Sequence, residues 1–218
     1  MRIRHKPWAV PELQACPFCV KNPESMKGKW NTAFKDNSKP VYMELGCGKG
    51  GFISQIAPAN PDINFFALDI KNEMLGLAKR KLEKVYADAG ISPDNILIMT
   101  QNIERIDNVF GEDDRVDRIY INFCNPWPRK KHKKRRLTHS RQLVNYRKFL
   151  ADGGEIHFKT DDDELFEESF DYFNECGFTE IFRTYDLHSE NISDNIVTEH
   201  EQMFTDMGKK IKFAVFKK

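Results

Sequence analysis

Five short apolar runs separated by segments with helical spacing constrain this chain more than anything else in its sequence. Val41–Leu45, Asn64–Ile70, Ile96–Met99, Ile119–Phe123 and Glu155–Phe158 read as strands. Between them, Met74, Leu77, Ala78, Leu82, Val85, Tyr86 and Ala89 fall at steps of three and four and predict a helix. Leu143, Val144, Tyr146, Phe149 and Leu150 predict a second; Leu165, Phe166, Phe170 and Phe173 predict a third, closed by Cys176-Gly177. Strands alternating with helices need crossover connections, so the expected fold is α/β with a mainly parallel sheet. Phe178–Arg183 and Ile211–Phe216 have no convincing helix between them and predict an antiparallel C-terminal strand pair. The polar stretch His188–Met207 reads as a surface excursion.

Residues 1–40 lack this alternation. Four prolines precede Ser25, no period is sustained, and the segment reads as an irregular arm ahead of a domain spanning 41–218. A chain of 218 residues buries enough surface to fold without disulfides or a metal. No apolar run reaches the length of a membrane span, and the first residues lack the apolar stretch of a secretory signal. Five cysteines without regular spacing fit a reducing cytoplasm. Cys16-Pro17-Phe18-Cys19 could be half a zinc site or a redox pair, but no second ligand pair accompanies it, so no metal is expected.

The net charge of +1 conceals two basic segments on an acidic body. Residues 1–40 carry eight Lys/Arg against three Asp/Glu, and residues 129–148 carry ten against none. Such a local field predicts a polyanionic partner.

The sharpest motif is Glu44-Leu45-Gly46-Cys47-Gly48-Lys49-Gly50-Gly51, placed between a strand and a helix. Gly46, Gly48 and Gly51 satisfy the dinucleotide fingerprint; Gly46, Gly48 and Gly50 equally satisfy the glycine turn of methyltransferases that use S-adenosylmethionine. Glu44 separates the two. Its carboxylate would repel a pyrophosphate and attract a sulfonium or ammonium. Asp69, ending the next strand, can accept from ribose hydroxyls. Asn102, beyond the third strand, can bind an adenine edge or simply cap a helix.

After the fourth strand, Asn125-Pro126-Trp127-Pro128 makes a stiff loop on the same crevice, a variant of the Asn/Asp-Pro-Pro-aromatic loop typical of methyltransferases acting on planar nitrogens; taken alone, it reads as an ordinary proline-rich turn with Trp127 packed on the core. Arg129–Arg136 follows at once, with seven Lys/Arg and one His in eight residues, and predicts contact with RNA or DNA. Asp161, ending the fifth strand, either pairs with Lys159 or accepts from guanine N1–H and N2–H₂. Thr198-Glu199-His200-Glu201 is a polar cluster whose plainer reading is a helix N-cap.

In order along the chain, Arg4-His5-Lys6-Pro7-Trp8, Gly28-Lys29-Trp30-Asn31, the Glu44 glycine turn, Asn122-Phe123 before Pro126-Trp127-Pro128, the basic run, Ile156–Asp161 and Thr198–Glu201 together resemble the bacterial tRNA (guanine-N7-)-methyltransferase family. The resemblance covers nearly the whole chain. It implies a Rossmann-like class I methyltransferase fold, S-adenosylmethionine as cofactor, and methylation of guanine 46 in the tRNA variable loop. It places Glu44, Asp69, Asn102 and Asn125, with Gly46, Gly48 and Gly50, at the cofactor. Arg129, Asp161, Thr198, Glu199, His200 and Glu201 are placed at the RNA. Asn125 is also the position that the family marks as catalytic. The family more often has Asp where this chain has Asn102 and Asn125, and Lys where it has Arg129. Guanine N7 carries a lone pair and no proton, so its methylation needs no general base, and Asn125 is expected to orient rather than to deprotonate.

Two other classes compete with this reading: an NAD-linked oxidoreductase, and a non-catalytic RNA-binding module with a decayed cofactor site. Neither an obligate protein partner nor a membrane is expected, and the chain is expected to be a monomer or homodimer in the cytoplasm.

Overall fold

The computed structural model describes residues 4–190, 192 and 195–218. Among them, seven strands form one sheet in the order β3-β2-β1-β4-β5-β7-β6. The strands are β1 Val41–Leu45, β2 Asn64–Asp69, β3 Ile96–Thr100, β4 Val116–Asn122, β5 Leu150–Thr160, β6 Thr179–Thr184 and β7 Lys212–Lys217. β3, β2, β1, β4 and β5 run parallel, while β7 pairs antiparallel with both β5 and β6. This is the expected architecture. The order reverses between β1 and β4, so a crevice opens at the C-terminal ends of those two strands.

The helices are α1 Ala9–Ala15, α2 Ile53–Ala59, α3 Asn72–Asp88, α4 Ser140–Phe149, α5 Asp163–Glu175 and α6 Glu199–Asp206. All six residues of β2 are buried, as suits a parallel strand covered on both faces. Helix α3 turns Leu75, Ala78, Leu82 and Tyr86 inward. One apolar cluster joins Leu75, Leu82 and Tyr86 with Phe65 and Ile98. On the other side Phe158, Phe166, Phe173 and Phe216 belong to a second cluster.

Two segments differ from expectation. Residues 1–40 are not irregular throughout: α1 lies across α3, and Gly76 permits the approach, because a Cβ there would stand 2.9 Å from the Trp8 ring. The Arg80 guanidinium lies 3.6 Å from the Trp8 ring centroid, and its side chain pairs with Glu12 of α1. Further on, Val20 N–H donates to Ile98 O and Ile98 N–H to Phe18 O, which extends the sheet beyond β3. Trp30 is buried, stacks on Phe110 at 5.0 Å and donates Nε1–H to Val109 O. Single anchors of this kind produce no sequence period. The second is α6, inside the stretch read as a polar excursion, where only the N-cap at Thr198–Glu201 was read from the sequence. Thr198 caps it, with Oγ1 accepting from Glu201 N–H at 3.2 Å.

Candidate active site

The glycine turn closes β1 onto β2. Gly46 and Cys47 both donate N–H to Leu68 O, and Gly46, Gly48 and Gly50 all take positive φ, at 80°, 55° and 75°. A side chain at Gly50 would also collide with Ala78 of α3, 2.9 Å away. Asp69 fixes the turn from the neighbouring strand. One carboxylate oxygen accepts from Gly48 N–H at 2.9 Å, the other from Lys71 N–H at 2.8 Å. Each oxygen keeps a second lone pair for a ligand. Burial, opposed by these bonds, raises the Asp69 carboxyl above its ordinary value.

Glu44 stands in β1 opposite Ala67 and Tyr120 and is only 3% exposed. Its Oε1 accepts from Asn122 Nδ2 at 3.3 Å, and its Oε2 is buried with no hydrogen-bond partner. Burial pushes the carboxyl up to about 7; Asn122 opposes the rise, the neighbouring Asp69 charge adds to it, and the Ile53 N–H, outside hydrogen-bond geometry for Oε2, opposes it weakly. A buried carboxylate with one oxygen unsatisfied is costly unless a donor or cation arrives.

Asn102 ends β3's side of the crevice as an N-cap, its Oδ1 accepting from Glu104 N–H at 3.1 Å. The plainer of its two readings thus describes its present bond. Ile70, which sequence reasoning did not single out, directly follows Asp69 and is 53% exposed. It is an exposed apolar side chain just past the C-terminal end of β2, and its adjacency to Asp69 was the available signal.

One cavity is lined by Glu44, Gly46, Gly48 and Asn122 below, and by Thr198, Glu199 and His200 above. The upper segment is pinned across the glycine turn at three places. Gln55 Nε2 donates to Val197 O, Lys81 pairs with Glu199 at 2.5 Å, and the His200 ring lies parallel to Phe123 at 6.4 Å. Glu201 does not face the cavity. It is fully buried, accepting from Lys159 Nζ at 2.7 Å and Asn195 Nδ2 at 2.9 Å and bonded to His188 at 3.0 Å. Expected at the RNA, Glu201 instead anchors α6 to the end of β5, because a buried Lys159 cation requires a partner. Removing that partner by Glu201→Ala is expected to cost about 3–5 kcal/mol of stability. An unchanged denaturation midpoint would refute this anchoring role.

Asp161 also differs from expectation. It pairs with Lys209 at 2.6 Å rather than with Lys159, and it lines a separate cavity with Lys210 and Lys212.

The loop after β4 is strained: Phe123 and Trp127 have φ of 50° and 43°. Such conformations in non-glycine residues cost about 1–3 kcal/mol each and persist only where surroundings hold them. Between them Asn125 is exposed, and its Oδ1 accepts from Trp127 N–H at 3.0 Å. The amide oxygen is therefore engaged once by the loop and keeps one lone pair, and the Nδ2 end of the side chain carries the donors. In the basic run, Arg129, Lys130, Lys131 and Lys134 are exposed. Lys133 pairs with Glu164 at 2.6 Å and with Glu168, and Arg136 is buried, so the run is not one uniform face.

A family model described as a putative methyltransferase matches residues 38–214. The tRNA (guanine-N(7)-)-methyltransferase of Clostridium perfringens (strain 13 / Type A) is 57% identical over 218 residues, all of both chains. The chain belongs to this tRNA (guanine-N(7)-)-methyltransferase family. Among solved structures, the 16S rRNA methyltransferase KamB aligns with a TM-score of 0.60 at 15% identity, covering 82% of this chain and 87% of that one. The N-methyltransferase NodS of Bradyrhizobium japonicum WM9, in complex with S-adenosyl-L-homocysteine, aligns with a TM-score of 0.54 at 16% identity, covering 82% and 77%. These distant likenesses establish the class I methyltransferase fold. Membership of the methyltransferase family sets aside the oxidoreductase alternative. The residues present also fit the cofactor of the family: the unsatisfied Oε2 of Glu44 calls for a cationic donor, and S-adenosylmethionine carries an ammonium and a sulfonium.

Proposed function

We propose that this chain transfers the methyl group of S-adenosylmethionine to N7 of guanine 46 in the variable loop of tRNA. The observation that carries the reading is Glu44: a buried carboxylate with one free oxygen, at the end of β1, beside a glycine turn in a member of this family. In this reading Glu44, Gly46, Gly48, Gly50 and Asp69 hold the cofactor, and Asn102 borders its adenine. Thr198, Glu199 and His200 face the substrate from above, and Arg129 contacts phosphate with its exposed neighbours. Residues 4–40, docked on α3 and β3, carry further basic side chains for the same polyanion.

When bound, S-adenosylmethionine supplies an electrophilic methyl on sulfur. The chain's own task is placement. N7 offers a lone pair without a proton, so no residue need act as a base, and rate comes from aligning N7 with the methyl and sulfur. Guanine presents N7 and O6, both acceptors, on that edge. The free Nδ2 of Asn125 is a donor suited to O6 and orients the base. Asn125→Ala is expected to lower single-turnover methyl transfer roughly 10- to 100-fold through lost orientation. Asn125→Asp keeps an oxygen for Trp127 N–H but loses the donor to O6; the negative charge it sets beside the nascent cation offsets part of that loss, so its rate is expected to lie between those of Asn125→Ala and the wild type. Abolished turnover in Asn125→Asp would show that the amide donor is indispensable.

Among the described residues no helix is long and apolar enough to cross a membrane. A tRNA substrate places the enzyme in the cytoplasm, working as a monomer or homodimer without an obligate protein partner. Labelled methyl transfer into unmodified tRNA, with guanosine 46 intact or replaced by adenosine, tests the whole reading. Incorporation should occur in the first and vanish in the second. Equal incorporation in both would reject position 46, and none in either would reject the activity.

A further inference from the structure

Arg136 closes the basic run, yet it is the largest fully buried side chain of the protein among the described residues. A buried guanidinium cannot read phosphate. Its Nε donates to Pro126 O at 2.6 Å and its Nη1 to Glu168 Oε2 at 2.5 Å. Glu168 belongs to α5, which packs on the sheet; it also takes Lys133 and receives the Tyr172 hydroxyl at 3.3 Å. The Pro126–Trp127 peptide is thus held at both ends. Its carbonyl accepts from Arg136, and its N–H donates to Asn125 Oδ1 at 3.0 Å. Rotation of that peptide plane would move the Asn125 amide with it. The same run supports the loop from a second side, with His132 against Trp127 at 5.7 Å and the Arg135 guanidinium 5.3 Å from the Trp127 ring centroid.

We propose that Arg136, held by Glu168, is a positioning residue that fixes the Pro126–Trp127 peptide and so aims Asn125 at the reacting guanine. The basic run then has two separate jobs: its outward members meet RNA, and Arg136 braces the loop that presents the base-orienting amide. This rests on the function proposed above. Lysine cannot replace Arg136, because a single ammonium lacks the planar fork that spans a carbonyl and a carboxylate together.

The test uses the full-length protein labelled with 5-fluorotryptophan. Its three tryptophans report separately: Trp127 on the loop, Trp8 on the α1–α3 contact and Trp30 on the core. In Arg136→Lys the Trp127 fluorine resonance should shift while those of Trp8 and Trp30 stay in place. Single-turnover methyl transfer at saturating tRNA and cofactor should fall at least tenfold, with tRNA affinity and its salt dependence within twofold of wild type. The isosteric Glu168→Gln should move the same two readouts in the same direction by threefold or more, and it carries the test if Arg136→Lys does not fold. Lost tRNA affinity with an unchanged rate, or a stationary Trp127 resonance with full rate, would overturn the proposal. Absence of methyl transfer by the wild-type protein would reject the function instead, and the fluorine spectra would still decide whether Arg136 holds the loop.

Discussion

Glu44→Gln is expected to weaken S-adenosylmethionine binding roughly 30- to 150-fold, the about 2–3 kcal/mol of one charge-assisted hydrogen bond. The same substitution should stabilise the ligand-free protein. The Glu44 carboxyl sits at about 7 in the fold against an ordinary 4.5, so the folded state holds a proton that the unfolded chain has released. Stability therefore falls as pH rises from 4.5 to about 7, and above that the penalty of a buried carboxylate is present in full. Its size is on the order of 3 kcal/mol, and an uncharged glutamine removes it. Binding of a cationic ligand recovers the carboxylate form, so wild-type affinity should drop about tenfold between pH 8 and pH 6, with proton release on binding. Calorimetric titrations at both pH values, alongside thermal melts of the ligand-free proteins, check both halves. A glutamine variant with unchanged affinity would remove Glu44 from the cofactor site.

Reversal of Arg129, Lys130, Lys131 and Lys134 to Glu should abolish tight tRNA binding. At about 1 kcal/mol per phosphate contact the loss is on the order of 1000-fold, and the log–log slope of affinity against salt should flatten by roughly 3. Cofactor affinity should persist. Lys133 is left out of this set because it is bound to Glu164 and Glu168; Lys133→Glu should lower the melting temperature instead. If the fourfold reversal leaves affinity and slope intact, the exposed part of the run is only a solvated surface.

That division of the basic run marks the boundary of what the sequence could say. Lys133, Lys134, Arg135 and Arg136 are alike as letters, and their partners lie far along the chain. Glu168 is 32 residues beyond Arg136, and Glu201 is 42 beyond Lys159. No local pattern announces such pairs. The glycine turn, by contrast, was legible because its chemistry is local: three glycines take positive φ between a strand and a helix, with an acid on each neighbouring strand. The parallel sheet was legible for the same reason, since each of its strands contains a short apolar run, although β4 and β5 begin three and five residues earlier, in residues that no such run marks. Helix α1 was missed because a seven-residue helix held by one face against α3 leaves too short a pattern to see. Helix α6 was announced only by its N-cap at Thr198, because its one fully buried side chain is a glutamate and no apolar face marks its length. Asn125 was correctly placed on the loop, but which end of its amide the loop engages follows from the Trp127 N–H, a bond set by the strained backbone.

The central claim, methyl transfer to guanine N7, is tested most directly by atomic substitution in the RNA. A tRNA carrying 7-deazaguanosine at position 46 replaces N7 by C–H and keeps every phosphate and nearly all the shape. It should bind with similar affinity and salt dependence and accept no methyl. Normal tRNA treated with the enzyme and labelled cofactor should acquire one methyl and then break at that base after mild reduction and aniline. Methyl incorporation into the deaza substrate, or a methylated product resistant to this cleavage, would show that another atom is attacked.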